Sequence, residues 1–168
     1  MYLQWDEATQ CNKYSVVALY VDDLIEIKHI LGMDVEINPV THVVHVSQSE
    51  YIKKSIRDYS KYGPNGELKL YSTPMDSRQP FYKAQSPEAD TEEAQRMQSL
   101  PFRELIGTLL WIANGTRPDI SYAVGTLAKY TNNSAELHWK ALLRVLDYLA
   151  NTLDYCIKYE GVEMVRQG

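Results

Sequence analysis

Cysteine is scarce in this chain of 168 residues: Cys11 and Cys156 are far apart and outside any Cys-x-x-Cys pattern. That spacing makes a zinc site improbable and points to reduced, buried thiols in an intracellular protein. No stretch approaches the roughly 18 consecutive apolar residues of a membrane span, so no membrane partner is expected and the chain reads as soluble. The start, Met1-Tyr2-Leu3-Gln4-Trp5-Asp6-Glu7, has neither positive charge nor an apolar stretch, and no secretory leader is expected. An excess of positive charge is lacking as well. The net charge of −5 argues against strong unspecific nucleic-acid binding, which rests on neutralising phosphates with Lys and Arg. The deficit is uneven: residues 1–60 carry five Lys or Arg against nine Asp or Glu, and residues 101–168 carry seven of each. Phosphate contacts are therefore expected from the second half, where Arg103, Arg117, Lys129, Lys140 and Arg144 lie.

Against these absences stands Tyr20-Val21-Asp22-Asp23, at the end of the apolar run Val16-Val17-Ala18-Leu19. The pattern predicts a β-hairpin with two carboxylates at its tip. Asp-Asp supplies no glycine for positive φ and sets like charges side by side, so a cation is expected to offset the repulsion. Magnesium suits the site, because it takes hard oxygen ligands and, in pairs about 3.5–4 Å apart, clamps the attacking and leaving oxygens of a phosphoryl transfer. An ordinary acidic turn would show the same four residues. His42 and His45, three apart on a predicted strand, point to opposite faces and do not share a metal.

Punctuation and periodicity predict an α+β fold: a small antiparallel β-sheet followed by a helical bundle. From residue 14 to 47 the chain reads as strands. Ile25, Ile27, Leu31, Met33, Val35 and Ile37 alternate with polar residues, His29 being the exception, and predict one long strand over 24–37. A turn at Asn38-Pro39-Val40-Thr41 leads into a strand over 42–47. Ser47-Gln48-Ser49-Glu50 matches a capping box and opens a helix with the stripe Ile52, Ile56 and Tyr59, stopped at Gly63-Pro64. A proline-rich linker over 63–92 crosses a surface. Three helices follow within 93–168. The first has the stripe Leu105, Ile106, Leu109, Leu110 and Ala113 and closes at Asn114-Gly115. The second is capped by Thr116-Arg117-Pro118-Asp119 and buries Ile120, Ala123, Val124, Leu127 and Ala128. The third starts at Ser134 with Trp139, Leu142, Leu143, Leu146 and Leu149 inward.

After Tyr20-Val21-Asp22-Asp23, six blocks in order carry a family resemblance: Leu31-Gly32-Met33-Asp34-Val35-Glu36; Val46-Ser47-Gln48-Ser49-Glu50-Tyr51-Ile52; Ser72-Thr73-Pro74-Met75; Phe102-Arg103-Glu104-Leu105-Ile106-Gly107-Thr108-Leu109-Leu110; Thr116-Arg117-Pro118-Asp119-Ile120-Ser121-Tyr122-Ala123-Val124; and His138-Trp139-Lys140-Ala141 through Arg144-Val145-Leu146 and Leu149 to Thr152-Leu153-Asp154-Tyr155. Together they resemble the carboxy-terminal half of the reverse transcriptase of Ty1/copia-type LTR retrotransposons, over most of the chain. The resemblance implies a palm remnant with the start of the thumb over 1–62, and a helical thumb and connection bundle over 93–168. It implies RNA-directed DNA polymerase ancestry, with Asp22 and Asp23 as catalytic metal ligands for Mg2+. Tyr20 and Val21 would then shape the hairpin beside the primer end. Leu31, Gly32 and Met33 would form the turn that holds the primer terminus, where a glycine lets a sugar-phosphate backbone approach closely; a β-bulge at a sheet edge would account for the same glycine. RNA template, DNA primer and the remaining Pol polyprotein segments are the implied partners.

Two departures qualify these expectations. The paired aspartates of such polymerases work with a third carboxylate from an earlier strand, and the 168 residues begin after it. The helix-bearing segment between the aspartate hairpin and Leu31-Gly32 is also missing. Positioning accounts for roughly 7–11 kcal/mol of such a barrier, so no polymerase activity is expected from the isolated chain. The alternative is a non-catalytic module, derived from a retroelement, that binds nucleic acid or protein.

Overall fold

The computed structural model describes residues 29–160, apart from 39, 42, 64–68 and 89. Among them are four strands and five α-helices, an α+β fold as the sequence predicts. The strands are β1 (His29–Ile30), β2 (Met33–Ile37), β3 (Val44–Ser47) and β4 (Ile157–Tyr159), antiparallel in the order β1-β2-β3-β4.

The long strand expected over 24–37 is interrupted: the chain reverses at Leu31-Gly32, and Ile30 pairs with Met33. Both turn residues have positive φ, 51° at Leu31 and 78° at Gly32, the signature of a two-residue type I′ hairpin. Glycine adopts this conformation readily; leucine does so against its side-chain sterics. The reversal also explains His29. It leaves the apolar set, faces Asp34 across the ladder, and places Nδ1 2.8 Å from Asp34 Oδ1. At the next turn the Asn38 side-chain oxygen accepts from the N–H groups of Val40 and Thr41, at 2.9 and 3.0 Å. The strand expected from His42 begins at Val44.

Cross-strand partners share a face, so the registers sort the sheet cleanly. Ile30 and Met33, then Val35, Val46 and Ile157, then Ile37, Val44 and Tyr159 form an apolar face. His29, Asp34, Ser47, Glu36, His45 and Lys158 form the polar one. Cys156, expected as a buried thiol, is exposed beside β4 with Sγ 3.8 Å from His45 Nδ1.

The first helix, α1 (Ser49–Tyr59), does not use the expected capping box. Ser47 is committed to the ladder opposite Asp34, and Gln48 stands at the cap without a side-chain capping bond. Gln48 is instead fully buried and accepts from Thr116 Oγ1 at 3.0 Å. Ile52 enters the core, and Ile56 and Tyr59 pack against it. The proline-rich stretch then runs over the helices, with Tyr71, Met75 and Phe81 against their core. A short helix absent from the sequence expectation, α2 (Glu92–Gln98), starts where Thr91 Oγ1 accepts from the Ala94 N–H at 3.2 Å.

Three helices supply most of the core: α3 (Phe102–Gly115), α4 (Ser121–Ala128) and α5 (Glu136–Ala150). In α3 the inward stripe is Leu105, Ile106, Leu109, Ile112 and Ala113. Leu110 is 36% exposed, contrary to expectation, because Leu105, Leu109 and Ile112 already define the face and position 110 is turned away from it. The core positions of α4 are as expected, with Ala128 half-buried, and all five expected in α5 are buried.

Ser134 does not start α5; Ala135 does, and its N–H donates to His138 Nδ1 at 2.9 Å. That bond puts the ring proton on Nε2, which is buried without a partner among the described residues. The ring stacks on Tyr130 with centroids 3.9 Å apart. Burial pushes the His138 pKa down, while the Glu93 charge pulls it partly back. The folded state therefore disfavours the proton, and stability is complete above the unfolded value of about 6.5 and lost as pH falls below it. The melting midpoint is expected to drop between about pH 7.5 and about pH 5.5, and His138→Gln, which keeps an acceptor, is expected to flatten that fall. An unchanged profile in the variant would assign the acid sensitivity elsewhere.

Candidate nucleic-acid interface

Tyr20, Val21, Asp22 and Asp23 lie outside the described residues, and the magnesium expected at the aspartates goes with them. Among the described residues no cluster of three or more His, Cys, Asp or Glu side chains is arranged to hold a metal. Leu31, Gly32 and Met33 are described. Leu31 is 74% exposed at the tip of the β1–β2 hairpin, Gly32 follows it, and Met33 opens β2 half-buried. A Cβ on Gly32 would meet nothing within 4 Å among the described residues, so its role lies in the positive φ.

The five cations expected to contact phosphate part company. Arg117 is 1% exposed and is lost to the solvent side altogether. Its Nε and Nη2 donate to the two carboxylate oxygens of Asp119 at 3.0 and 2.8 Å. Its Nη1 donates to the Thr152 carbonyl at 2.8 Å, and Nη2 to Thr152 Oγ1 at 2.6 Å. Tyr148 and Tyr155 flank the guanidinium, and the Tyr148 hydroxyl donates to Asp119 Oδ2 at 2.8 Å. Desolvation raises the Asp119 pKa, but the hydrogen bonds from Arg117 and Tyr148 and the guanidinium charge outweigh it and hold the carboxyl below its ordinary value. This constellation ties the α3–α4 connection to the end of α5. It is structural, and it gives Arg117 the partner that the sequence leaves open.

Arg103 donates to Asn132 Oδ1 at 3.3 Å, and Lys129 caps the end of α4. Lys140 and Arg144, one turn apart on α5, instead meet Lys69 around a groove of about 230 Å3. Ile56 and Leu143 supply apolar wall, and Tyr71 and Asp147 complete the rim. The Arg144 guanidinium stacks over Tyr71 at 4.3 Å and donates through Nη2 to Thr73 Oγ1 at 3.1 Å, which fixes the irregular segment to α5. Lys140 pairs with Glu136 at 2.7 Å on an exposed helix face. An i,i+4 pair of that kind is worth only about 0.3–0.5 kcal/mol, so a phosphate can displace it.

Asp147 is the one carboxylate among the described residues that line the groove. Burial raises its pKa, with the Lys69 N–H and charge pulling the other way. As pH falls through that raised value Asp147 loses its charge, and the groove becomes more favourable to an anion. Sequence reasoning pointed to Lys140 and Arg144 but not to Lys69 or Asp147. No periodicity links position 69, in irregular chain, to α5.

Set beside known proteins, the chain is similar to a retrovirus-related Pol polyprotein from the transposon TNT 1-94 of Nicotiana tabacum, 25% identical over 183 residues. That match covers 94% of the chain and 13% of the relative. A putative transposon Ty5-1 protein of Saccharomyces cerevisiae is 30% identical over 154 residues, covering 89% of the chain and 45% of the relative. A retrovirus-related Pol polyprotein from the transposon RE1 of Arabidopsis thaliana is 31% identical over 138 residues, covering 82% and 8%. No family model and no solved structure matches. The chain spans less than half the length of each of these relatives. Its homologues are retrovirus-related Pol polyproteins from Ty1/copia-type transposons, matched at modest identity over most of its length.

Proposed function

We propose that this retroelement-derived chain is the carboxy-terminal part of a copia-type reverse transcriptase and that its described part contacts a primer–template duplex. The observation that carries this reading is the Leu31-Gly32 hairpin, an exposed two-residue turn with positive φ at both positions. It fits the turn that holds a primer terminus in the enzymes the sequence resembles. The order of the motifs and the similarity to Pol polyproteins support the same reading. In it, Asp22 and Asp23 bind Mg2+ beside the primer 3′ end, and Lys69, Lys140 and Arg144 meet the phosphate backbone.

Salt dependence tests the contact. Three phosphate neutralisations correspond to a slope of about −2.7 in log affinity against log salt on a B-form duplex. Lys69→Ala and Lys140→Ala are each expected to reduce the slope by about one and to weaken binding to all sequences alike. A flat salt dependence, or a slope untouched by both variants, would favour a protein-binding module over nucleic-acid contact.

A further inference from the structure

A second cavity, of about 330 Å3, opens where the start of α3 meets the connection between α4 and α5. Ligand sites occupy about 300–1,000 Å3, so this one suits a small ligand. Met97, Leu100 and Phe102 give it apolar wall, and Arg103, Asn132 and Ser134 bring hydrogen-bonding groups.

The backbone supplies two of its donors. Pro101 stands at the N-cap of α3 and has no side-chain oxygen to accept from the first turn. The Phe102 N–H donates to the Leu100 carbonyl at 2.8 Å, and the Leu105 N–H to the Pro101 carbonyl at 3.0 Å. Between them, the N–H groups of Arg103 and Glu104 have no acceptor among the described residues, at the positive end of a helix of 14 residues.

Side chains supply the rest. Ser134 is 9% exposed and lines the cavity, and its hydroxyl enters no hydrogen bond among the described residues. A hydroxyl buried in that state costs stability unless something in the cavity accepts from it. Arg103 donates through Nη2 to Asn132 Oδ1 at 3.3 Å, which engages the amide oxygen and leaves Asn132 Nδ2 free to donate. Thr131 and Asn133 also line the cavity but are committed elsewhere, Thr131 Oγ1 to the Ala128 carbonyl at 2.7 Å and Asn133 Nδ2 to the Pro87 carbonyl at 3.1 Å.

We infer that this cavity binds a phosphate group. Its oxygens accept at once from two backbone N–H groups at a helix start, a guanidinium, an amide and the Ser134 hydroxyl. Glu104 is the one carboxylate among the described residues that line the cavity, and its exposed side chain is free to turn to water. Free phosphate and the 5′-terminal phosphate of a nucleic-acid strand present the same chemistry to these donors.

Amide NMR of the full chain titrated with inorganic phosphate tests the site, and because it needs no duplex its outcome is separate from that of the primer–template reading. Saturable shifts are expected at the Arg103 and Glu104 amides, with the middle of α5 unmoved. Ser134→Ala and Arg103→Gln are each expected to weaken binding about tenfold. Glu104→Gln, on an exposed face, is expected to tighten it about threefold, a gain that misfolding cannot mimic. Oligonucleotides with and without a 5′-phosphate identify the source: competition by the phosphorylated strand alone assigns the site to strand ends, and competition by neither assigns it to free phosphate. Shifts that drift without saturating, shifts confined to other residues, or equal affinity in all three variants would overturn the inference.

Discussion

Asp119→Ala is expected to destabilise the fold by about 3–5 kcal/mol, because it strands a guanidinium that is 1% exposed. Arg117→Ala should cost less, about 2–4 kcal/mol, since the carboxylate it strands keeps a third of its exposure and can recruit water. That order decides between an ion pair measured by its attraction and one measured by what its removal leaves behind. Arg117→Lys should also fail: an ammonium has no flat fork for the two Asp119 oxygens and cannot at the same time reach both Thr152 acceptors. Urea denaturation followed by circular dichroism reads all three, and a double variant less damaging than the two single losses added together would show the coupling. The depressed Asp119 pKa adds an acid limb. Its contribution is full above the unfolded value of about 3.9 and is lost as pH falls through the lower folded one. Equal, small losses in both alanine variants would contradict the account of this connection.

Gly115→Ala is the second large effect, at about 1–3 kcal/mol destabilising, although alanine is the better helix former by roughly 1 kcal/mol. The added methyl would strike the Gln48 side-chain carbonyl and sit 2.9 Å from its Cδ and 3.0 Å from its Nε2. Gln48 is fully buried and holds the Thr116 hydroxyl, so it has no open space to retreat into. A compensating Gln48→Ala change should recover part of the loss by removing the clash, even though it leaves Thr116 Oγ1 without its acceptor. Thermal melts of the two single variants and the pair measure this. A Gly115→Ala chain as stable as the parent would mean that Gln48 does not occupy that space.

The helical half was legible because burial there repeats at helical spacing: Leu105, Leu109 and Ile112 in α3, and Leu142, Leu146 and Leu149 in α5. Leu110 was misassigned because a leucine beside a stripe looks the same in sequence whether it faces in or out. The Leu31-Gly32 reversal, which the family resemblance implies, was hidden from the periodicity for a related reason. A two-residue turn interrupts the strand without interrupting the alternation read across it, and leucine is an unusual occupant of a positive-φ position. His29, out of step with that alternation, was the trace it left. The capping box failed because Ser47 belongs to a strand ladder, a tertiary fact invisible to a four-residue motif. Strand β4 escaped because three residues pair with a strand more than a hundred positions earlier. The exposure of Cys156 follows from the same omission. At the candidate interface, Arg117 carried a readable clue. Its neighbour Asp119 lay two residues away, but that the pair folds inward on Thr152 depends on where α5 ends.

The central claim is that the Leu31-Gly32 turn meets the end of a primer. A DNA primer carrying a photoreactive base at its 3′ terminus, annealed to an RNA template and irradiated with the full chain, tests it directly. Mass spectrometry of the digested adduct is predicted to place the crosslink within residues 31–33. Crosslinks falling only on the outer faces of α3 and α4, or none with the duplex saturated, would contradict it.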